Sequence, residues 1–180
     1  MYIMKKIITL FTLIIFIICQ TASVSAYELP RWQFFPVKTY VAEHPKKPIV
    51  MRAFKEWENS TNIAKFFYVD TDRKIPKIIV TFEDDNSFTP DSGHAAAVGV
   101  TYSFTPRGFY ATAKVKIFLH YPGTNIPLPD DQIYAIALHE IGHALGLKHS
   151  TDYNTIMYYS VNNSRHLTKK DLDQFFRIYK

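Results

Sequence analysis

Between His139 and His149 the chain reads His-Glu-Ile-Gly-His-Ala-Leu-Gly-Leu-Lys-His, and no other stretch limits so sharply what it can fold into. His139 and His143 are four residues apart, so on a helix their imidazoles leave one face about one turn apart and can reach a single ion. Gly146 supplies a left-handed stop, and the sharp turn it permits allows His149, off the helix, to approach as a third nitrogen donor. Three protein ligands and one open position make a catalytic zinc site, whereas a structural site is closed by four. Glu140 stands beside the first ligand without being one. There its carboxylate can take a proton from a zinc-activated water, whose pKa falls toward ~7, and pass it to a leaving amine. The expected cofactor is one catalytic Zn2+ on His139, His143 and His149, with Glu140 as general base.

The surroundings of this motif predict an α+β domain. Phe34 to Ala42 is aromatic and β-branched and reads as a strand. Pro48 opens a helix whose apolar face is Val50, Ala53, Phe54 and Trp57, ending at Asn59 to Asn62. Four further strands are predicted at Phe66 to Val69, Lys77 to Phe82, Ala97 to Phe104 and Thr112 to Leu119. Asp130 is expected to cap the motif helix, which runs to about Leu145. A last helix is predicted from Lys169 to Ile178, capped by Thr168.

The first 26 residues stand apart from this domain. Lys5 and Lys6 form a positive start, Ile7 to Ile18 a short apolar run, and Val24-Ser25-Ala26 a small-residue cleavage site, the pattern of a secretory signal peptide. About 12 strongly apolar residues fall short of the ~20 that span a bilayer, so cleavage near Ala26 is expected rather than a stable membrane anchor. Cys19 raises a lipoprotein reading, against which stands the bulky Ile18. The expected location is secreted, extracellular or periplasmic, with residues 27–180 as one catalytic domain.

Cleavage there removes the only cysteine and leaves 19 basic against 16 acidic residues, a net charge of +3. The mature domain then has neither disulfides nor thiolate ligands. Its lysines are scattered rather than gathered in a stripe, so no nucleic-acid partner is expected. Fourteen Phe, twelve Tyr and two Trp supply apolar area for a core without disulfides.

With these residues the chain resembles the metzincins and, within them, the matrixins, the matrix metalloproteinases and their small bacterial relatives. Ser150 after the third histidine is the matrixin choice. Met157, in Thr155-Ile156-Met157-Tyr158-Tyr159, is similar to the methionine of the Met-turn that floors the zinc site. Leu167, Asp171, Leu172 and Tyr179 match the family's last helix, Ala53-Phe54, Trp57 and Thr61 its first, and Trp32 with Val37 to Val41 its N-terminal lead-in and first strand. The resemblance implies a five-stranded mixed sheet with three helices. It also implies a monomeric metalloendopeptidase acting on protein or peptide substrates laid along an edge strand, Val98 to Phe104, with a pocket near Tyr158, Tyr159 and Val161.

The chain departs from the family in several places. Lys170 replaces the first aspartate of a pair on the last helix, which puts in doubt an ion pair with a freed N-terminus. No motif for a second, structural zinc is visible, and His94 and His120 read as ordinary histidines. Calcium near Asp70/Asp72 or Asp84/Asp85 is a reading no motif supports. No cysteine-based latency switch is available to the domain, and Tyr27 to Trp32 leaves no room for a folded inhibitor. Tyr159 stands where matrixins have proline and other metzincins a tyrosine that ligates zinc or stabilises the oxyanion, so it is a second candidate functional residue. Two other classes remain open: a catalytically weak zinc-binding adhesion or binding module on the same scaffold, and a non-peptide hydrolase.

Overall fold

Five strands form one sheet in the computed structural model, which describes residues 30–84, 99–160 and 162–180, without the side chain of Arg107, and burial alternates along the three central ones. They are β1 (Val37–Val41), β2 (Phe66–Val69), β3 (Ile78–Glu83), β4 (Gly99–Phe104) and β5 (Thr112–Phe118). The sheet order is β2-β1-β3-β5-β4, with β4 antiparallel to β5 and every other pair parallel. Register places Val41, Val80 and Val115 side by side, and likewise Thr39, Ile78 and Ala113, all on the buried face. With three helices, α1 (Lys47–Thr61), α2 (Asp130–Ala144) and α3 (Lys169–Ile178), this is the expected α+β mixed sheet.

Helix α1 presents Val50, Ala53, Phe54 and Trp57 to the core, each fully buried. Burial of a side chain as large as Phe54 contributes about 2–3 kcal/mol. Trp57 adds direction, because its indole N–H donates to the Leu138 carbonyl of α2 at 3.0 Å. At the far end of α2, Trp32 Nε1 donates to Ala144 O at 2.8 Å and the Tyr179 hydroxyl donates to Leu145 O at 2.8 Å. Helix ends leave such carbonyls without helical partners. The N-terminal lead-in and the C-terminal residues thus both close the motif helix.

Several boundaries differ from expectation. The first strand begins at Val37 rather than Phe34, because Pro36 has no N–H to give to a ladder. Asp130 is not the cap of α2: Pro129 occupies that position, no side chain caps it, and the Asp130 carboxylate pairs with Lys46 at 2.5 Å. Asp130 and Asp131 instead place negative charge in the first turn, where the helix dipole favours it. Helix α3 starts at Lys169 with Thr168 as cap, and Asp171 completes a capping box. No helix among the described residues is long and apolar enough to cross a membrane. The predicted signal segment, Asp85, His94 and the start of the fourth expected strand at Ala97 and Val98 lie outside the described residues, as does Val161.

Candidate metal centre

The site is built on the C-terminal half of α2. Gly146 adopts φ 99°, the Gly146 amide donates to His143 O at 2.9 Å, and the Leu147 amide donates to Gly142 O at 2.9 Å. This pairing is a Schellman stop, which glycine forms without steric cost. A Cβ at Gly146 would also lie 2.5 Å from the Pro30 carbonyl. The turn delivers His149 back across α2. His143 Nε2 lies 3.0 Å from His139 Nε2 and 3.1 Å from His149 Nε2.

Two backbone carbonyls orient the rings. His139 Nδ1 donates to Ile156 O at 2.7 Å, and His143 Nδ1 donates to Leu147 O at 2.9 Å. With Nδ1 carrying the proton, each Nε2 presents a lone pair. Two lone pairs 3.0 Å apart repel unless a cation lies between them. Nitrogens held ~2.0–2.1 Å from a tetrahedral ion are about 3.3 Å apart, close to the spacing seen, so the donor set fits zinc. Burial pushes the His139 imidazole down to about 3, with the neighbouring His143 adding to the effect. Burial also pushes His143 down to about 4. Both rings are therefore neutral near neutral pH, the form in which an imidazole can bind a metal. His149 is exposed, so the cluster opens to solvent on its side.

Met157 is fully buried directly beneath this helix. Gly142, between the first two histidines, makes that approach feasible: a Cβ there would collide with Met157 Sδ and lie 3.2 Å from the Trp57 ring. The turn carrying Met157 is itself held. Asp171 accepts the Ile156 and Met157 amides, each at 3.1 Å, and the Ser150 amide donates to Met157 O at 2.6 Å. The chain Asp171, Ile156, His139 thus runs from α3 to the His139 ring through backbone groups. The Lys170 ammonium pairs with Asp152, whose carboxyl that contact and the Asn154 amide hold below the usual range.

Glu140 is buried beside the histidines. Its Oε2 accepts the Thr101 hydroxyl of β4 at 2.7 Å, and burial pushes its carboxyl up to about 7, with Thr101 opposing the shift. Strand β4 comes this close because Gly99 has no side chain: a Cβ there would lie 2.7 Å from Glu140 Cγ and 2.8 Å from Oε1. Neither Thr101 nor Gly99 stands out in the sequence, since a threonine and a glycine in a strand carry no local mark of their partner.

Tyr159 is exposed, its ring centroid 4.3 Å from that of Tyr158. Asp70 pairs with Lys74 at 2.8 Å in solvent. Among the described residues, His139, His143 and His149 are the one group of three or more potential metal ligands.

Comparison with known proteins agrees with this architecture. The chain is 28% identical over 165 residues to metalloendoproteinase 1 of Glycine max, covering 84% of this chain and 53% of that protein. It is 25% identical over 167 residues to interstitial collagenase of Oryctolagus cuniculus, covering 83% and 33% respectively. With stromelysin-2 of Rattus norvegicus it is 26% identical over 166 residues, again 83% and 33%. The chain thus spans about half the length of the Glycine max relative and a third of the other two. The matrixin family model matches residues 30–180, the whole extent of the sheet, the helices and the histidine cluster, and the chain belongs to the matrixin family.

Proposed function

We propose that this chain is a secreted, zinc-dependent endopeptidase acting on extended segments of proteins or peptides. The observation that carries the reading is the pair of imidazoles whose Nδ1 protons are committed to backbone carbonyls while their Nε2 atoms meet a third histidine beside a buried carboxylate. His139, His143 and His149 are its metal ligands, and Met157 and Gly146 shape the floor and the turn that hold them. The relatives named for endoproteinase and collagenase activity support the same chemistry.

When bound, zinc would lower the pKa of a water to ~7 and polarise a scissile carbonyl. Glu140 accepts the proton of the attacking water and donates it to the departing amine. Burial raises its carboxyl above the ordinary glutamate range, which favours proton uptake by a group that must both take and return one. Strand β4, paired to β5 on one side and last in the sheet among the described residues, offers backbone groups to an extended substrate. Tyr158 and Tyr159 follow the Met157 turn and are assigned to the wall of a pocket for an apolar side chain. Removal of residues 1–26 after export belongs to the same reading.

Zinc removal gives the direct test. The chain is expected to bind one zinc per molecule and to cleave a mixed peptide library, with cleavage lost in a chelator and restored by added zinc. Undiminished cleavage in the chelator overturns the mechanism. Zinc binding without cleavage of any peptide would favour a binding module on the same scaffold.

A second expectation concerns the contact between β4 and Glu140. Gly99→Ala introduces a Cβ within 3 Å of both Glu140 and Ile136 Cγ2. Overpacking of this kind costs about 1–3 kcal/mol. A thermal midpoint lowered by several degrees, together with slower peptide cleavage, is the expected result; an unchanged midpoint and rate would show that β4 moves aside freely.

A further inference from the structure

Glu140 needs more than proximity to a metal. A glutamate side chain has three rotatable bonds, and a carboxylate acting on a proton works only when one oxygen is aimed within hydrogen-bond reach. On the helix itself the residues one turn away are Ile136, Ala137, His143 and Ala144, which pack around the side chain but give its Oε2 no hydroxyl or amide donor. The restraint comes from across the cleft. Thr101 Oγ1 lies 2.7 Å from Glu140 Oε2 and 3.0 Å from the Glu140 carbonyl oxygen, so one hydroxyl touches both ends of the same residue.

A threonine hydroxyl has one proton. The shorter, charge-assisted contact to the carboxylate takes it. The carbonyl keeps the hydroxyl in place and serves as its alternative acceptor. A β-branched side chain in a strand holds χ1 tightly, so the hydroxyl is a fixed point rather than a rotor. Gly99, two residues earlier on the same face of β4, leaves no room for a side chain there: a Cβ would lie 2.7 Å from Glu140 Cγ and 2.8 Å from Oε1. The carboxylate is thus gripped at Oε2 by the hydroxyl, and the side chain occupies space that the missing Gly99 side chain leaves open.

We infer that Thr101 is a positioning residue for Glu140: its hydroxyl fixes Oε2 and so holds the carboxylate in one orientation for the reacting water. The role rests on the endopeptidase reading, and it places the aiming group on the same edge strand that would carry the substrate. A substrate that pairs with β4 therefore meets a strand already bonded to the general base.

The test compares Thr101→Val, which keeps the β-branched shape and strand propensity while deleting the hydroxyl, with Thr101→Ser, which keeps the hydroxyl. In the full-length zinc-loaded protein, kcat for a fluorogenic peptide is expected to fall about tenfold in Thr101→Val with KM changed less than about twofold, and to recover most of the loss in Thr101→Ser. Zinc content and thermal midpoint should match the parent. Crystal structures of parent and Thr101→Val supply a readout independent of turnover, in which Glu140 is expected to leave its single orientation in the variant. An unmoved Glu140 in Thr101→Val overturns the inference, as does a parental kcat in Thr101→Val, a Thr101→Ser rate as low as that of valine, or a loss confined to KM. A displaced Glu140 in Thr101→Val combined with no chelator-sensitive cleavage by the parent would leave the positioning contact standing and overturn the endopeptidase reading instead.

Discussion

Replacing Glu140 with glutamine is expected to leave zinc bound and the fold intact while lowering kcat for peptide cleavage by at least about 10²-fold. Glutamine has the same shape and still offers an oxygen to the Thr101 hydroxyl, so the packing against β4 persists. What disappears is the capacity to take a proton at the atom facing the reaction. Because the proposed metal ligands are the three histidines and not this carboxylate, metal content is expected to stay at one per chain by atomic absorption. Steady-state rates on a fluorogenic peptide, with zinc content and thermal midpoint measured on the same samples, separate the two effects. An undiminished rate in Glu140→Gln would remove this residue from the mechanism, and loss of zinc would recast it as part of the metal site.

The second large effect is expected far from the reacting atoms. Asp171 is 1% exposed, and its carboxylate accepts from the Ile156 and Met157 amides, from the Thr168 amide at 2.9 Å and from the Thr168 hydroxyl at 2.7 Å. Asp171→Ala strands those donors. Each buried donor left unpaired costs about 1–3 kcal/mol, and relaxation will recover part of the sum, so a loss of about 3–5 kcal/mol is expected. That is a large share of a typical domain stability of about 5–15 kcal/mol. The turn it releases also carries the Ile156 carbonyl that orients His139, so zinc affinity should fall about 10–100-fold as well. Denaturant unfolding of the zinc-free protein reads the first effect and competition with a chromophoric chelator the second. A midpoint and affinity equal to the parent's would show that the turn holds itself.

How far these features are legible in the amino-acid sequence depends on whether their cause is local. The Schellman stop at Gly146 follows from a glycine placed after a helical pattern, and the Thr168 cap with Asp171 three residues on is a local hydrogen-bonding box. Both appear where the sequence puts them. The boundary at Pro36 is also local in cause, since a missing N–H ends a ladder, but the aromatic run around it masks the break. Asp130 illustrates the opposite case. A cap role suits its residue type, yet Lys46, distant in sequence, takes its carboxylate and Pro129 occupies the cap position.

The sequence alone determined which residues could meet at the centre: helical spacing puts His139 and His143 on one face, and a left-handed glycine turns the chain toward His149. It also determined the α+β class, through the order in which β-branched and aromatic segments and helical apolar faces follow one another along the chain. Tertiary structure alone decided how those residues are aimed. The carbonyls of Ile156 and Leu147 select the ring tautomers, Asp171 on the last helix holds the turn beneath them, and Thr101 on an edge strand grips Glu140. The reason is physical: spacing along a chain sets which face a side chain occupies, whereas orientation is set by hydrogen bonds to groups brought near only when sheet and helices pack.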